Sequence, residues 1–180
     1  HRAARERGVK PVVILDTNIL CCLLQVPGKE TAGSGEDRWD FPRADMHKQE
    51  YIDGGYDLFV PIVCLIEVAT HIVNAHGNKH GLITRVTALL NDLADGTSPW
   101  APVHTQADFW SAERLRAFAR EWPQRAISGL SLADWSLAVL VEKQRALGGT
   151  VALWTADALL EAHAPAPIPE MAIPPRRHRR

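Results

Sequence analysis

The stretch Val12–Leu20 reads VVILDTNIL and interrupts an apolar run with an aspartate, a threonine and an asparagine at positions 16–18. The β-branched residues in front of Asp16 predict a short strand that is buried on both faces, as in the centre of a parallel sheet. The apolar spacing over residues 17–26 predicts a helix that ends at Pro27-Gly28. A strand that leads directly into a helix is typical of α/β folds. Asp16 stands at the turn between them, where it is also a good helix cap.

Short apolar runs and helical periodicity alternate along the rest of the chain. Residues 58–60 and 151–154 predict two more buried strands, and SPWAPVHT at 98–105 predicts a brief additional one. Helices are predicted over residues 61–73, 81–93, 105–121 and 131–147, with a short one after residue 157. Strands that alternate with helices predict an α/β fold in layers around a mostly parallel sheet.

Two segments depart from this pattern. Residues 29–57 are rich in glycine and charge, which predicts an inserted loop at positions 28–57 of a domain that spans residues 9–163. A short helix is predicted within it, near residues 43–52. A functional lid and a tolerated insertion are both compatible with that composition. The proline- and arginine-rich tail, residues 164–180, is predicted to be disordered.

Composition and charge exclude several classes of protein. The chain is 46% hydrophobic and 23% charged, as in ordinary globular domains, and no apolar run approaches the length of a membrane span. The formal net charge of −1 excludes a uniformly basic surface, so any polyanion must bind a local patch. The three cysteines lie in apolar runs, which predicts buried, reduced thiols in a cytoplasmic protein without a membrane partner.

Four acidic residues have positions that suggest a site. Asp16 and Asp157 follow the first and last predicted strands, at the carboxyl ends where parallel sheets bind ligands. Asp134 lies in the first turn of an apolar helix, and Glu67 lies within another. The three aspartates also have structural explanations. Asp134 could form a capping box with Ser131, and the other two could cap helices or form local turns.

Glu67 is the hardest of the four to explain structurally. A carboxylate between Ile66 and Val68 is expected to face an interface, where burial without a partner is costly, and its helix contains no Lys or Arg. Four carboxylates that converge on one point repel one another, so they need protons or a divalent cation. Ligands that are all oxygen favour Mg²⁺ or Mn²⁺ over Zn²⁺.

The order and type of these four segments resemble the PIN-domain nucleases, which are VapC-like metal-dependent ribonucleases. That family opens with a strand and an Asp-Thr-Asn, like LDTNIL here, followed by a helix that carries a glutamate, like VPIVCLIEVATHI. A helix that starts with an aspartate comes next, like LSLADWSLAVLV, and then a strand that ends in Thr-x-Asp, like LWTADALL. The resemblance covers residues 11–162. The long insert at 28–57 distinguishes this chain from the compact toxins of the family.

The resemblance implies a PIN-like three-layer α/β/α sandwich with a central, mostly parallel sheet and an acidic pocket at the strand ends. Carried over position by position, it assigns both catalysis and metal binding to Asp16, Glu67, Asp134 and Asp157. Thr17 or Asn18 would orient Asp16, and Thr155 would orient Asp157.

The activity that the resemblance implies is hydrolysis of RNA by a Mg²⁺- or Mn²⁺-dependent endoribonuclease. The ion would lower the pKa of a water and neutralise charge on the phosphate, with Glu67 as a ligand or as the base. A toxin held by an antitoxin and a stand-alone defence or RNA-processing nuclease are both compatible with the motifs. The alternative is a non-catalytic PIN-like module that binds RNA or another protein.

A nuclease also needs cationic contacts to the RNA backbone. The segment SAERLRAFAREWPQR lies near Trp110 and contains Trp122, and its arginines are candidates for RNA binding beside these stacking rings. They are Arg114, Arg116, Arg120 and Arg125. A solvated helix face explains the same residues. The apolar residues within 82–93 could likewise form a homodimer face or pack into the core.

Overall fold

The computed structural model describes residues 10–102, 106 and 109–164. The tail predicted to be disordered lies outside the described residues from position 165 onwards, as do parts of the predicted strand at 98–105 and of the predicted helix at 105–121. Within the described ranges, no helix is both long enough and apolar enough to cross a membrane.

Three parallel strands form the sheet of the described chain: β1 (Val12–Leu15), β2 (Asp57–Phe59) and β3 (Val151–Trp154). Their order is β2-β1-β3, so the first strand of the sequence is the central one, as predicted. The strands lie where the sequence predicts them, except that β2 starts and ends one residue earlier than predicted. Of the predicted strand at 98–105, Trp100 makes a single bridge to β2.

Seven α-helices lie among the described residues. They are α1 (Thr17–Leu24), α2 (Phe41–Asp53), α3 (Ile62–Asn74), α4 (His80–Asp95), α5 (Ala112–Ile127), α6 (Leu132–Ala146) and α7 (Ala158–His163). The helix predicted over 105–121 is wrong in both bounds. It begins later because the Ser111 hydroxyl accepts a hydrogen bond from the Arg114 N–H and caps α5 there. It also continues through Pro123, because the packing of Phe118 and Trp122 on the core outweighs one missing N–H.

The sheet separates two hydrophobic cores. Val13 and Leu15 of β1 face one core, which is built mainly from α1, α2, α3 and α4. Ile14 faces the other, which is built mainly from α5, α6 and α7. Alternating side chains of one strand therefore contact helices on opposite faces of the sheet. The chain is an α/β protein with an open, all-parallel sheet, an arrangement compatible with a three-layer sandwich.

Much of the predicted insert belongs to the folded structure. The short helix predicted there is confirmed as α2, which the Asp40 side chain caps by accepting a hydrogen bond from the Arg43 N–H at 3.0 Å. Ala44 of α2 is fully buried. Before α2, Ala32 pairs with Trp39 in an antiparallel bridge around a short 3₁₀ turn. The segment is therefore not a plain loop.

The apolar residues of α4 divide between core and surface. Leu82, Leu89 and Leu93 are buried, whereas Ile83 and Leu90 are exposed. Of the two alternatives for this helix, a homodimer face and packing into the core, the three buried leucines follow the second.

The three cysteines are free and buried, as the sequence predicts. Burial raises the pKa of Cys21 to about 12 and also raises that of Cys64. Protonated, buried thiols are poor nucleophiles and poor ligands, so the cysteines serve the core.

Candidate active site

One open cavity of about 320 Å³ lies where β1 and β3 end and brings distant parts of the chain together. Its lining residues come from the start of α1, the middle of α3, the start of α6 and the turn after β3. They are Asp16, Thr17, Asn18, Glu67, Thr70, His71, Ser131, Asp134 and Asp157. All four acids that the resemblance implicates therefore line the same cavity.

Asp16 is the most buried of the four, with 3% of its surface exposed. It occupies the N-cap position of α1, but its side chain makes no capping hydrogen bond. Instead, its Oδ2 accepts a hydrogen bond of 2.9 Å from the Thr155 hydroxyl. Burial raises the pKa of Asp16 to about 6, the Thr155 bond opposes that rise, and the charges of Asp134 and Asp157 add to it. Capping therefore does not explain this carboxylate.

Glu67 lies half-buried on the cavity side of α3. Its Oε2 accepts a hydrogen bond of 2.5 Å from the hydroxyl of Thr17, the first residue of α1. The Thr17 hydroxyl therefore orients Glu67, whereas the Thr17 backbone N–H hydrogen-bonds to Asp16 and lowers the pKa of that carboxyl. Asn18, the other residue expected to orient Asp16, lines the cavity without a hydrogen bond to it.

Asp134 has two roles at once. It forms the capping box of α6: its Oδ2 accepts hydrogen bonds from the Ser131 hydroxyl at 2.6 Å and from the Ser131 N–H at 3.3 Å. The same side chain lines the cavity. The predicted capping box of Asp134 is therefore confirmed, and the same hydrogen bonds hold its carboxylate in place at the cavity.

Asp157 is likewise a helix cap. Its Oδ1 accepts hydrogen bonds from the N–H groups of Leu159 at 2.8 Å and Leu160 at 3.1 Å, at the start of α7. The Thr155 hydroxyl accepts a bond of 3.0 Å from the Asp157 N–H while it donates to Asp16. Thr155 therefore connects the ends of the two neighbouring strands.

The four carboxylates share one pattern. In each, the hydrogen bonds come from hydroxyls or backbone N–H groups, and in three of the four they end on a single oxygen: Oε2 of Glu67, Oδ2 of Asp134 and Oδ1 of Asp157. No ion pair joins any of the four to a cationic side chain of the described part of the chain. Each carboxylate is therefore oriented by neutral donors, and Glu67, Asp134 and Asp157 each have one oxygen without a hydrogen bond from the described residues.

This donor set suits a hard divalent cation, because it offers carboxylate and hydroxyl oxygens and no thiolate. Within the described residues, however, no three His, Cys, Asp or Glu side chains are grouped closely enough to hold a metal ion. Mg²⁺ usually keeps several waters and binds one or two protein carboxylates together with substrate phosphates. Carboxylate oxygens of this kind are the ligands that Mg²⁺ and Mn²⁺ prefer, so the donor set of the cavity is compatible with either ion.

Three lining residues have no predicted role at the site: Thr70, His71 and Ser131. Thr70 and His71 lie three and four positions after Glu67, so helical periodicity places them on the same face of α3. Ser131 is the capping partner of Asp134. The helical spacing from Glu67 was the signal that could have identified the first two.

The aromatic side chains and one arginine of the predicted RNA-binding segment, near and within α5, make contacts within the protein. Trp122 donates its indole N–H to the Leu130 carbonyl at 3.1 Å, and Trp110 packs against Phe109 and Phe118. Both rings are partly buried against the core on the α5 and α6 side of the sheet. The guanidinium of Arg125 lies over the ring of Trp135, 4.6 Å from its centroid. None of the four arginines of α5 lines the cavity: Arg114, Arg116, Arg120 and Arg125.

No protein-family model, curated protein or solved structure matches the chain in the three comparisons. The geometry of the cavity and the motif resemblance are therefore the two grounds for a functional proposal.

Proposed function

We propose that the protein is a PIN-like, Mg²⁺- or Mn²⁺-dependent endoribonuclease and that the acidic cavity is its active site. One observation carries the proposal. Four carboxylates from separate elements line one cavity, and each is held by neutral hydrogen-bond donors, with no cationic side chain of the described residues paired to it. Keeping four uncompensated acids together is unfavourable unless a cation binds there.

Asp16 and either Asp134 or Asp157 would hold the metal, as the one or two protein carboxylates of a hydrated Mg²⁺ site do. When bound, the ion neutralises charge on the phosphate and lowers the pKa of a coordinated water. Thr155 keeps Asp16 oriented through its 2.9 Å hydrogen bond, and Thr17 does the same for Glu67. Fixed carboxylates need no rearrangement when charge develops at the phosphorus, which is how preorganised sites lower a barrier.

Glu67 is suited to act as the general base. It is only half-buried, it carries no ion-pair partner among the described residues, and its Oε1 accepts no hydrogen bond from them. That oxygen can hold the attacking water and take its proton while Thr17 fixes the other oxygen. His71 lies on the same wall of the cavity and offers a ring N–H to a phosphate oxygen, whereas the Thr70 hydroxyl already donates to the Ile66 carbonyl.

RNA as the substrate rests on the motif resemblance. A toxin that an antitoxin neutralises and a defence or RNA-processing nuclease are the two biological settings compatible with it. A cytoplasmic location and a homodimer belong to the same proposal.

The decisive test compares the wild type with Asp16→Asn on total RNA in Mg²⁺ or Mn²⁺, followed by mapping of the new ends. Asp16→Asn keeps the shape of the side chain and removes its charge, so cleavage should fall about a thousandfold. The control is Glu142→Gln, which removes one exposed charge of α6 outside the cavity and should leave cleavage unchanged. Cleavage by Asp16→Asn at the wild-type rate would show that the mechanism is wrong.

A non-catalytic binding module is the second candidate. The absence of three closely grouped ligands within the described residues favours it. Isothermal titration with Mn²⁺ distinguishes the enzyme from the binding module. The enzyme should bind the ion, and Asp16→Asn should abolish that binding. A non-catalytic module should show no Mn²⁺ binding that depends on Asp16.

A further inference from the structure

The end of β3 presents alternate side chains to opposite sides. Ala152 and Trp154 pack with the core on the α1 and α2 side, as does Ala156 just beyond the strand. Leu153 packs with the other core. The next odd positions, Thr155 and Asp157, belong to the acidic site. A contact that holds Trp154 and Ala156 in place therefore also restrains Thr155, which lies between them, and Asp157, which follows.

The segment before α2 contacts these positions. Trp39 packs edge-on against Trp154, with ring centroids 5.4 Å apart. The backbone of Gly33 approaches Ala156 so closely that a Cβ at position 33 would lie 3.4 Å from the Ala156 Cβ. Ala32, which pairs with Trp39, is buried in the same core.

This segment is itself braced. Arg43 donates to the carbonyls of Glu36 and Arg38, both at 2.7 Å, and its guanidinium lies 4.4 Å from the centre of the Trp39 ring. Gly33 has a φ of +73°, and a Cβ there would come within 2.6 Å of the Asp37 carbonyl oxygen. Such a contact is too short for any side chain, so the loop requires glycine at this position.

We propose that the loop at residues 32–39 is a positioning element of the acidic site. Through Gly33 and Trp39 it holds Ala156 and Trp154, and thereby the relative placement of Thr155, Asp157 and Asp16. The inference rests on the proposed function, since it concerns the affinity of the same cavity for a divalent ion. Groups behind a ligand commonly change metal affinity tenfold or more when they are altered.

The test measures Mn²⁺ affinity by titration, and kcat and KM for RNA cleavage, in Gly33→Ala and in its matched control Gly35→Ala. Gly35 also has a positive φ, +60°, but a Cβ there meets nothing within 4 Å. Both variants place an alanine at a positive φ, so the control accounts for that backbone strain. Gly33→Ala in addition brings a Cβ against the Asp37 carbonyl and the Ala156 Cβ, which displaces the loop from the end of β3. Relative to the control, we expect Gly33→Ala to bind Mn²⁺ about tenfold more weakly and to show a kcat about tenfold lower, with KM within about twofold.

A second pair of variants tests the same contact through Trp39. Trp39→Ala removes the ring that packs on Trp154 and should behave like Gly33→Ala, whereas Trp39→Phe keeps an aromatic edge there and should restore most of the Mn²⁺ affinity. Circular dichroism establishes the folded fraction, to which all values are normalised. If neither Gly33→Ala nor Trp39→Ala folds, the loop is required for the whole fold and the proposal is overturned.

The outcomes separate this inference from the proposed function. If the wild type binds Mn²⁺ through Asp16 but Gly33→Ala and Gly35→Ala have equal Mn²⁺ affinity and kcat and differ only in melting temperature, the loop is merely structural. If the wild type shows no Asp16-dependent Mn²⁺ binding at all, the proposed function fails, and the positioning role fails with it.

Discussion

Two acids of α2, Asp45 and Glu50, carry the same charge as the acids of the cavity but have different partners. In α2, Asp45 pairs with Lys48 and Glu50 pairs with His47, each within one helical turn. In the cavity, the partners of the carboxylates are neutral hydroxyls and backbone N–H groups. A neutral donor orients a carboxylate without cancelling its charge, so the negative potential of the cavity is kept for a cation.

This difference has a cost in stability. The exposed acids of α2 need no compensation because water solvates them. Asp16 is almost fully buried, and this burial raises its pKa to about 6 because the charged form loses its solvation. A buried charge that weakens the fold is typical of a site that has a function.

The largest expected effect is on catalysis by Glu67. Glu67→Gln keeps the hydrogen bond from Thr17 through the amide oxygen but removes the basic oxygen, so kcat for RNA cleavage should fall about 10²- to 10⁴-fold. Single-turnover cleavage at saturating Mn²⁺ measures this loss. A rate near that of the wild type would leave Glu67 without a role as the base.

Asp16→Asn should stabilise the metal-free protein. The folded pKa of about 6 lies above the ordinary value of 3.8, so the stability from protonated Asp16 is fully present below pH 3.8 and is lost as the pH rises through 6. The loss at pH 8 amounts to about 3 kcal/mol, and Asp16→Asn avoids it. Urea unfolding at pH 8 and pH 4 in the presence of a chelator tests this, since the variant's advantage should disappear at pH 4.

Thr155→Val should lower the affinity of the cavity for Mn²⁺ without abolishing binding. The variant removes the hydroxyl that donates to Asp16 and accepts from the Asp157 N–H, while it keeps the side-chain volume. We expect Mn²⁺ affinity to fall about tenfold. Thr155→Ser keeps the hydroxyl and is the control. Equal Mn²⁺ affinity in Thr155→Val and Thr155→Ser would contradict the orienting role of the hydroxyl.

The smallest effect is expected in α2. Asp45→Asn removes one partner of a half-exposed pair with Lys48, and such pairs contribute at most about 0.5 kcal/mol. Its stability and cleavage rate should match those of the wild type, and thermal melts together with the RNA assay measure both. A loss of cleavage comparable to that of Asp16→Asn would erase the distinction between the two groups of acids.

Much of the fold could be predicted from the sequence because it depends on local patterns of apolar and capping residues. The apolar strand β1 and the cap of α6 depend on residues close in sequence, and both lie where the patterns place them. The start of α5 was mispredicted because the capping serine, Ser111, competes with a longer apolar pattern. The end was mispredicted because packing outweighed Pro123, which local propensity cannot express.

The candidate site was predictable only as a list of residues. Helical and strand periodicity identified the four acids, but not which hydroxyl would serve which carboxylate. Thr17 follows Asp16 directly in sequence and yet donates to Glu67, 50 positions away. Asp16 instead receives its hydrogen bond from Thr155, 139 positions away. Such pairings depend on how strands and helices pack, which no local pattern contains.

By itself, the sequence determined the alternation of strands and helices, the buried central strand and the caps at Ser131 and Asp157, since each depends on backbone needs within a few residues. The tertiary structure decided that four acids line one cavity, that neutral donors hold them, and that the segment before α2 packs behind the end of β3. The physical reason is that burial and electrostatic cost depend on distances between elements, and only the packing of helices on both faces of a parallel sheet sets those distances.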